Sequence, residues 1–252
     1  MTLSVVFKGI EGIVLSADSR LTVQAQTGSI SFYDNATKIF ALPGQRHCGV
    51  ITAGSSTIPI QSQSRSLTSH LLEFSEVINP LGKLSVEDLS NELNRFVTRV
   101  WHISGQPQQT LNLAVVGFDA SCSSGRVFSL IFPAASQPTE LNKGEFGLTT
   151  FGEDGFVWTL IRGINVRLLN DIKNIVARSG SGELETAVNS ATQGFSYFPP
   201  ISSLPLRDAV DLTRFLIETT SLLQKFLVLT QTVGGPVKSA TITAQEGFNW
   251  VS

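Results

Sequence analysis

Residues 2–20 read TLSVVFKGIEGIVLSADSR, and this stretch decides the fold. Segments 2–8 (TLSVVFK) and 11–17 (EGIVLSA) are rich in β-branched residues and flank Gly9-Ile10-Glu11-Gly12, a short glycine-containing connection of the kind that closes a hairpin. The first strand therefore starts at Thr2. Antiparallel partners run back past each other, so Asp18, at the end of the second strand, is expected beside that start. The stretch mixes polar with apolar residues and has neither a basic leader nor a small-residue cleavage site, so it does not read as a secretory signal.

Outward from the hairpin, residues 37–42 (TKIFAL) and 48–53 (CGVITA) predict two more strands around a turn at Pro43-Gly44. A Ser/Gln-rich stretch from Gly54 leads to Leu67, Leu71 and Phe74, whose spacing predicts an amphipathic helix. Ser85 followed by Val86-Glu87-Asp88 is a helix start, and Leu89, Leu93, Phe96 and Val100 then repeat at helical spacing. Strands are predicted over 111–118 and 126–132, then one helix over 155–176 with Trp158, Ile161, Ile164, Leu168 and Ile172 along one side. A helix over 206–224 follows, then strands over 226–231 (FLVLTQ) and 237–243 (VKSATIT) around Gly234-Gly235. The segment between the last two helices, around 175–203, is too long for a bare connection and predicts an insertion with a short helix and a loop. Runs of strands alternating with runs of helices imply an α+β fold, two stacked antiparallel sheets with helices outside both: a four-layer αββα sandwich in one domain over 1–252.

Composition narrows the partners. The chain is 42% hydrophobic but only 15% charged, which points either to faces buried against other subunits or to a neutral, hydroxyl-rich surface. A net charge of −2 gives no basic footprint for nucleic acid, and no apolar stretch is long enough for a membrane span. Cys48 and Cys122 have no CxxC spacing and read as reduced thiols of a cytoplasmic protein. His47, His70 and His102 are scattered, so neither a metal nor a cofactor is expected.

Thr2 carries the chemistry. Removal of Met1 would leave a threonine whose α-amine, titrating near ~8 in peptides, is a base built into the nucleophile itself. Many chains begin Met-Thr, so helpers are required. Asp18 stands near the start of the Thr2 strand, and Lys38 opens a later one. An ammonium there would keep the amine neutral and stabilise an alkoxide, with Asp18 as its anchor, although the two residues taken alone read first as a surface or half-buried ion pair.

Four blocks, Thr2, Ser16-Ala17-Asp18-Ser19-Arg20-Leu21-Thr22, Asn35-Ala36-Thr37-Lys38-Ile39-Phe40 and Thr52-Ala53-Gly54-Ser55, agree in order and spacing with the β-type subunits of the proteasome and their bacterial relatives, N-terminal-nucleophile (Ntn) hydrolases. Val233-Gly234-Gly235-Pro236-Val237 and Leu204-Pro205-Leu206-Arg207-Asp208-Ala209-Val210 resemble later parts of the same family. The resemblance implies Thr2 as nucleophile, Lys38 as the group tuning its amine and Asp18 as the partner of Lys38. It further implies the Gly54 N–H as oxyanion hole, Thr22 as a strand-like holder of extended substrate, and Leu21 and Ser56 facing the side chain before the scissile bond. Two positions depart from the family. Gly152-Glu153-Asp154-Gly155 puts Glu153 where a serine supports the amine, and Thr230-Gln231-Thr232-Val233 lacks a second supporting carboxylate. Three functions remain open: a threonine-type peptidase acting on peptide or protein in a homo-oligomeric ring, a non-catalytic ring or scaffold subunit, and a small-molecule amidase. The sequence names no ring size, unfoldase or natural substrate.

Overall fold

The computed structural model describes residues 2–24, 28–60, 63–105, 109–120, 122, 124–133, 137–180, 182–193, 203–227 and 230–251. The chain opens with β1 (Leu3–Lys8) and β2 (Ile13–Ala17), then β3 (Leu21–Gln24), β4 (Ile30–Tyr33), β5 (Ile39–Ala41) and β6 (Cys48–Gly54). A hairpin of β7 (Thr57–Ile60) and β8 (Gln63–Ser66) leads into α1 (Leu67–Ile78) and α2 (Val86–Ile103). Next come β9 (Leu111–Gly117), β10 (Arg126–Phe132), β11 (Thr139–Leu141) and β12 (Gly147–Gly152). The helices α3 (Gly155–Arg162), α4 (Val166–Ser179), α5 (Gly182–Gln193) and α6 (Leu206–Phe226) precede β13 (Lys238–Thr243) and β14 (Gly247–Val251).

Two five-stranded antiparallel sheets result, one ordered β12-β1-β2-β13-β14 and the other β11-β10-β9-β6-β5. Alternation along β1 explains how they stack. Val6 points with Leu15, Ile51, Val116 and Ile242 into the space between the sheets, while Leu3, Val5 and Phe7 face Val157 of α3 and Leu216 and Ile217 of α6. On the other sheet Val50, Leu113, Val115 and Leu130 meet Leu71 and Phe74 of α1 and Leu89, Leu93 and Val97 of α2. The order is helices, sheet, sheet, helices: the expected four-layer αββα sandwich. Because β1 is buried on both faces, even its polar residues must find partners inside. Ser4 Oγ donates to Thr52 O (2.7 Å) across the sheets, and Lys8 Nζ donates to Asn142 O (2.6 Å).

Ser85 caps α2 as its spacing predicts, its Oγ accepting from Asp88 N–H at 3.0 Å. Three expectations need correction. The single helix over 155–176 is two, since Gly163 ends α3 in the left-handed conformation (φ 67°) and Asn165 caps α4 by accepting from the Arg167 and Leu168 N–H groups. The stripe drawn across that break therefore fails: Leu169 and Val176 are buried in α4, whereas Leu168 is 54% exposed. Among the described residues the strand over 226–231 does not appear either: α6 continues through Phe226, Thr230 and Gln231 lie in a loop, and 228–229 lie outside the described residues. β13 pairs instead with β14, which composition did not reveal. A short helix does occupy the 175–203 segment, as α5, while the loop expected around Pro199-Pro200 lies outside the described residues.

Candidate active site

Thr2 stands immediately before β1, 4% exposed, at the end of the strand that faces β12 and β2. The register pairs Leu3 with Gly152, and the next residue, Glu153, donates its N–H to Thr2 O at 2.9 Å. This approach demands glycine at 152. With φ at 97°, a Cβ there would lie 1.8 Å from Thr2 O. Glu153 thus stands beside Thr2, as its position in the sequence implies, and the contact made is through its backbone.

Asp18, 1% exposed, directly follows β2 and accepts from four donors. Leu3 N–H (3.0 Å) and Lys38 Nζ (2.7 Å) reach Oδ1, and Arg20 N–H (3.2 Å) and Gly234 N–H (3.0 Å) reach Oδ2. Each donor compensates the buried carboxylate for lost water. Lys38, itself only 8% exposed, is fixed from its backbone as well, where its carbonyl accepts from Thr52 N–H at 2.8 Å. Burial pushes the Lys38 pKa below the ordinary 10.5, with the nearby Arg20 acting in the same sense and Asp18 pulling the other way. The ammonium therefore gives up its proton more readily than that of a surface lysine.

Gly54 closes β6 with φ 93°, and a Cβ there would meet Thr110 O at 2.3 Å, so only glycine lets β6 and the Ser55–Thr110 contact form (Ser55 N–H to Thr110 O, 2.9 Å). Thr2, Leu21, Thr22, Lys38, Gly54 and Ser56 line one cavity of about 300 Å³, and Asp18 sits behind Lys38 as its anchor. A wider groove of about 730 Å³ continues from Thr2, Leu21, Thr22, Gly54 and Ser56 to Gly152 and Glu153. The seven residues singled out from the sequence thus come together around one end of the stacked sheets. Sequence reasoning gave no site role to Thr37, Thr52, Thr57, Ser66 and Thr68, which also line the cavity. The density of Ser and Thr between 52 and 69 was the signal, and only the β7–β8 hairpin folding back onto α1 turns that density into a lining.

Arg20 serves the frame. Its Nε and Nη2 donate to the two Asp34 carboxylate oxygens (2.7 and 2.8 Å) and its guanidinium lies 5.0 Å over the Phe32 ring, holding Asp34 below its usual carboxylate pKa. Ser19 Oγ is 2.8 Å from both Asp34 O and Pro236 O, binding the loop before Lys38 to the Gly234-Gly235 loop. Where the resemblance places a second carboxylate, the loop is carried by an amide: Gln224 Oε1 accepts from Thr232 N–H (3.0 Å) and Val233 N–H (2.9 Å).

Among the described residues, no group of three His, Cys, Asp or Glu side chains could hold a metal, and no helix is long and apolar enough to cross a membrane. No family model and no curated protein matches the sequence. The structure, however, is similar to that of an Anbu (Gly-1) mutant from Hyphomicrobium sp. strain MC1, at 15% identity over 100% of this chain and 87% of that one, with a TM-score of 0.60. At that identity the likeness speaks for the architecture alone, and with the two stacked sheets between helix layers it identifies a proteasome-like Ntn-hydrolase fold.

Proposed function

We propose that the chain is a threonine-type peptidase in which Thr2, exposed by removal of Met1, is the nucleophile. One observation carries the reading: the buried Lys38 ammonium, anchored by Asp18, lines the same cavity as Thr2. The freed amine takes the proton of Thr2 Oγ, and Oγ attacks the carbonyl carbon of an extended substrate. Negative charge then gathers on the carbonyl oxygen, for which the Gly54 N–H is the donor. The C–N bond breaks as the amine passes its proton to the leaving nitrogen, and water releases the acyl group from Thr2. Lys38 lowers the proton affinity of the amine and stabilises the alkoxide. Thr22 holds the substrate backbone, and Leu21 and Ser56 meet its side chain. The low charge of the surface fits a closed homo-oligomeric ring in the cytoplasm acting on peptide or protein.

Intact-mass measurement and an electrophile selective for N-terminal threonine test this together. The expected result is loss of Met1 and one adduct on the peptide bearing Thr2, with both adduct and turnover abolished in Thr2→Ala while its circular dichroism is unchanged. A purified protein that retains Met1 and takes no adduct overturns the reading.

A second reading, a non-catalytic ring subunit, draws support from Glu153 beside Thr2 and from the lack of a carboxylate at Thr230-Gln231-Thr232-Val233. A carboxylate near the amine raises the amine pKa and weakens it as a base. Assembly without any adduct is the outcome that favours this alternative.

A further inference from the structure

We infer that the basin bounded by Trp158, Arg162 and Arg167 is a subsite on the leaving-group side of Thr2 and takes a carboxylate carried downstream of the scissile bond. The inference rests on the hydrolytic reading above. A substrate whose acyl half occupies the Leu21–Ser56 side of Thr2 must leave on the other side. There the groove that runs from Thr2 reaches Gly152 and Glu153. A second cavity, about 500 Å³, begins at those same two residues and ends at Trp158, Arg162 and Arg167. The two cavities share Gly152 and Glu153 in their walls.

The basin has a firm floor, and Glu153 and Asp154 line it together with the two arginines. Trp158 is fixed by its Nε1–H, which is 3.0 Å from both Asp154 Oδ2 and Thr150 Oγ1, and Thr150 Oγ1 in turn donates to Asp154 Oδ2 at 2.9 Å. The Asp154 carboxylate is thus engaged within its own turn. Arg162 folds back so that its guanidinium lies 4.8 Å over the Trp158 ring, about one helical turn nearer Thr2 than its own backbone. Neither Arg162 nor Arg167 forms an ion pair among the described residues. Arg162, in the last turn of α3, suits the helix dipole. Arg167 does not: it occupies the first turn of α4, whose positive end disfavours a cation. Its place is unexplained by helix stability and is explained by an anion between the two arginines. The guanidinium forks match a carboxylate, which either the substrate's own C-terminus or an Asp or Glu side chain can supply. Glu153 lies between this site and Thr2, so an anion bound immediately at the scissile bond would be repelled. The subsite therefore reads the second or third residue downstream, each spanning roughly 3.3 Å of extended chain.

Three matched peptides test this, identical upstream and ending two residues beyond the cleaved bond as a free carboxylate, as its amide, or as the amide with Glu at the second downstream position. The wild-type enzyme is expected to cleave one or both anionic peptides about tenfold faster in kcat/KM than the neutral amide. Which of the two is faster identifies the source of the carboxylate. In the Arg162→Gln/Arg167→Gln variant that ratio falls to about one, and Arg162→Lys/Arg167→Lys restores part of it. Equal rates for all three peptides in a wild-type enzyme that takes the Thr2 adduct overturn the subsite and leave the hydrolytic reading standing. So does a glutamine variant that slows all three alike. Absence of both adduct and cleavage overturns both.

Discussion

The two flanks of Thr2 are built on different principles. On the Lys38 flank, one buried carboxylate gathers four donors from β1, the Lys38 side chain, the chain after β2 and the Gly234 loop, so four separate segments converge on a single side chain. On the Glu153 flank, the contact to Thr2 is a lone backbone hydrogen bond, and the acidic side chains around it are partly exposed. The first arrangement fixes a side chain as well as the backbone; the second fixes the backbone alone, through the Glu153 N–H.

That contrast is broken most severely at Asp18. Asp18→Asn would leave a buried ammonium without its counter-charge and is expected to destabilise the fold by about 3–5 kcal/mol, lowering the melting temperature by roughly 10 °C. Chemical denaturation of the variant measures it, and a loss below about 1 kcal/mol would place Asp18 with ordinary surface ion pairs. A smaller effect concerns pH. Because burial lowers the Lys38 pKa from 10.5, the unfolded chain binds more protons between the folded value and 10.5. The stability this group contributes is thus full above 10.5 and lost as pH falls to the folded value. Activity runs the opposite way, since the ammonium disappears as pH rises through the folded value. The alkaline limb of the rate profile should lie below 10.5 and move upward in Lys38→Arg, whose residual rate is enough to trace it. An unmoved limb would assign that titration to another group. The smallest effect belongs to the Glu153 flank. Glu153→Gln removes a partly exposed charge near the amine and is expected to shift the acid limb of the profile downward and raise the rate at pH 7 by roughly threefold, with stability changed by less than about 0.5 kcal/mol.

Legibility follows range along the chain. The helix start at Ser85 and the β1–β2 hairpin are local patterns and were readable. So was the nearness of Asp18 to Leu3, because a hairpin register fixes it once the connection is known. The break in the third helix was also written locally, as Gly163-Ile164-Asn165, and was overridden by an apolar spacing that happened to continue across it. β12 (GLTTFG) was missed for a different reason. Its glycines and threonines give little apolar alternation, and it becomes a strand by pairing with β1, more than a hundred residues earlier. FLVLTQ erred the other way, since its apolar run suited a strand while α6 extended into its start.

The sequence by itself determined the layered architecture and the place of Thr2 at a strand start with Asp18 beside it, because periodicity and hairpin closure act over a few residues; the other site residues came from a resemblance of short blocks. Tertiary structure alone decided that Asp18 also holds Gly234, 216 residues away, that Gln224 carries the closing loop, and that Arg162 and Arg167 share a cavity wall with Gly152 and Glu153. Such contacts have no local signature, since their partners are brought together only when two sheets bury their facing surfaces and the loops at their edges must satisfy whatever polar groups are left.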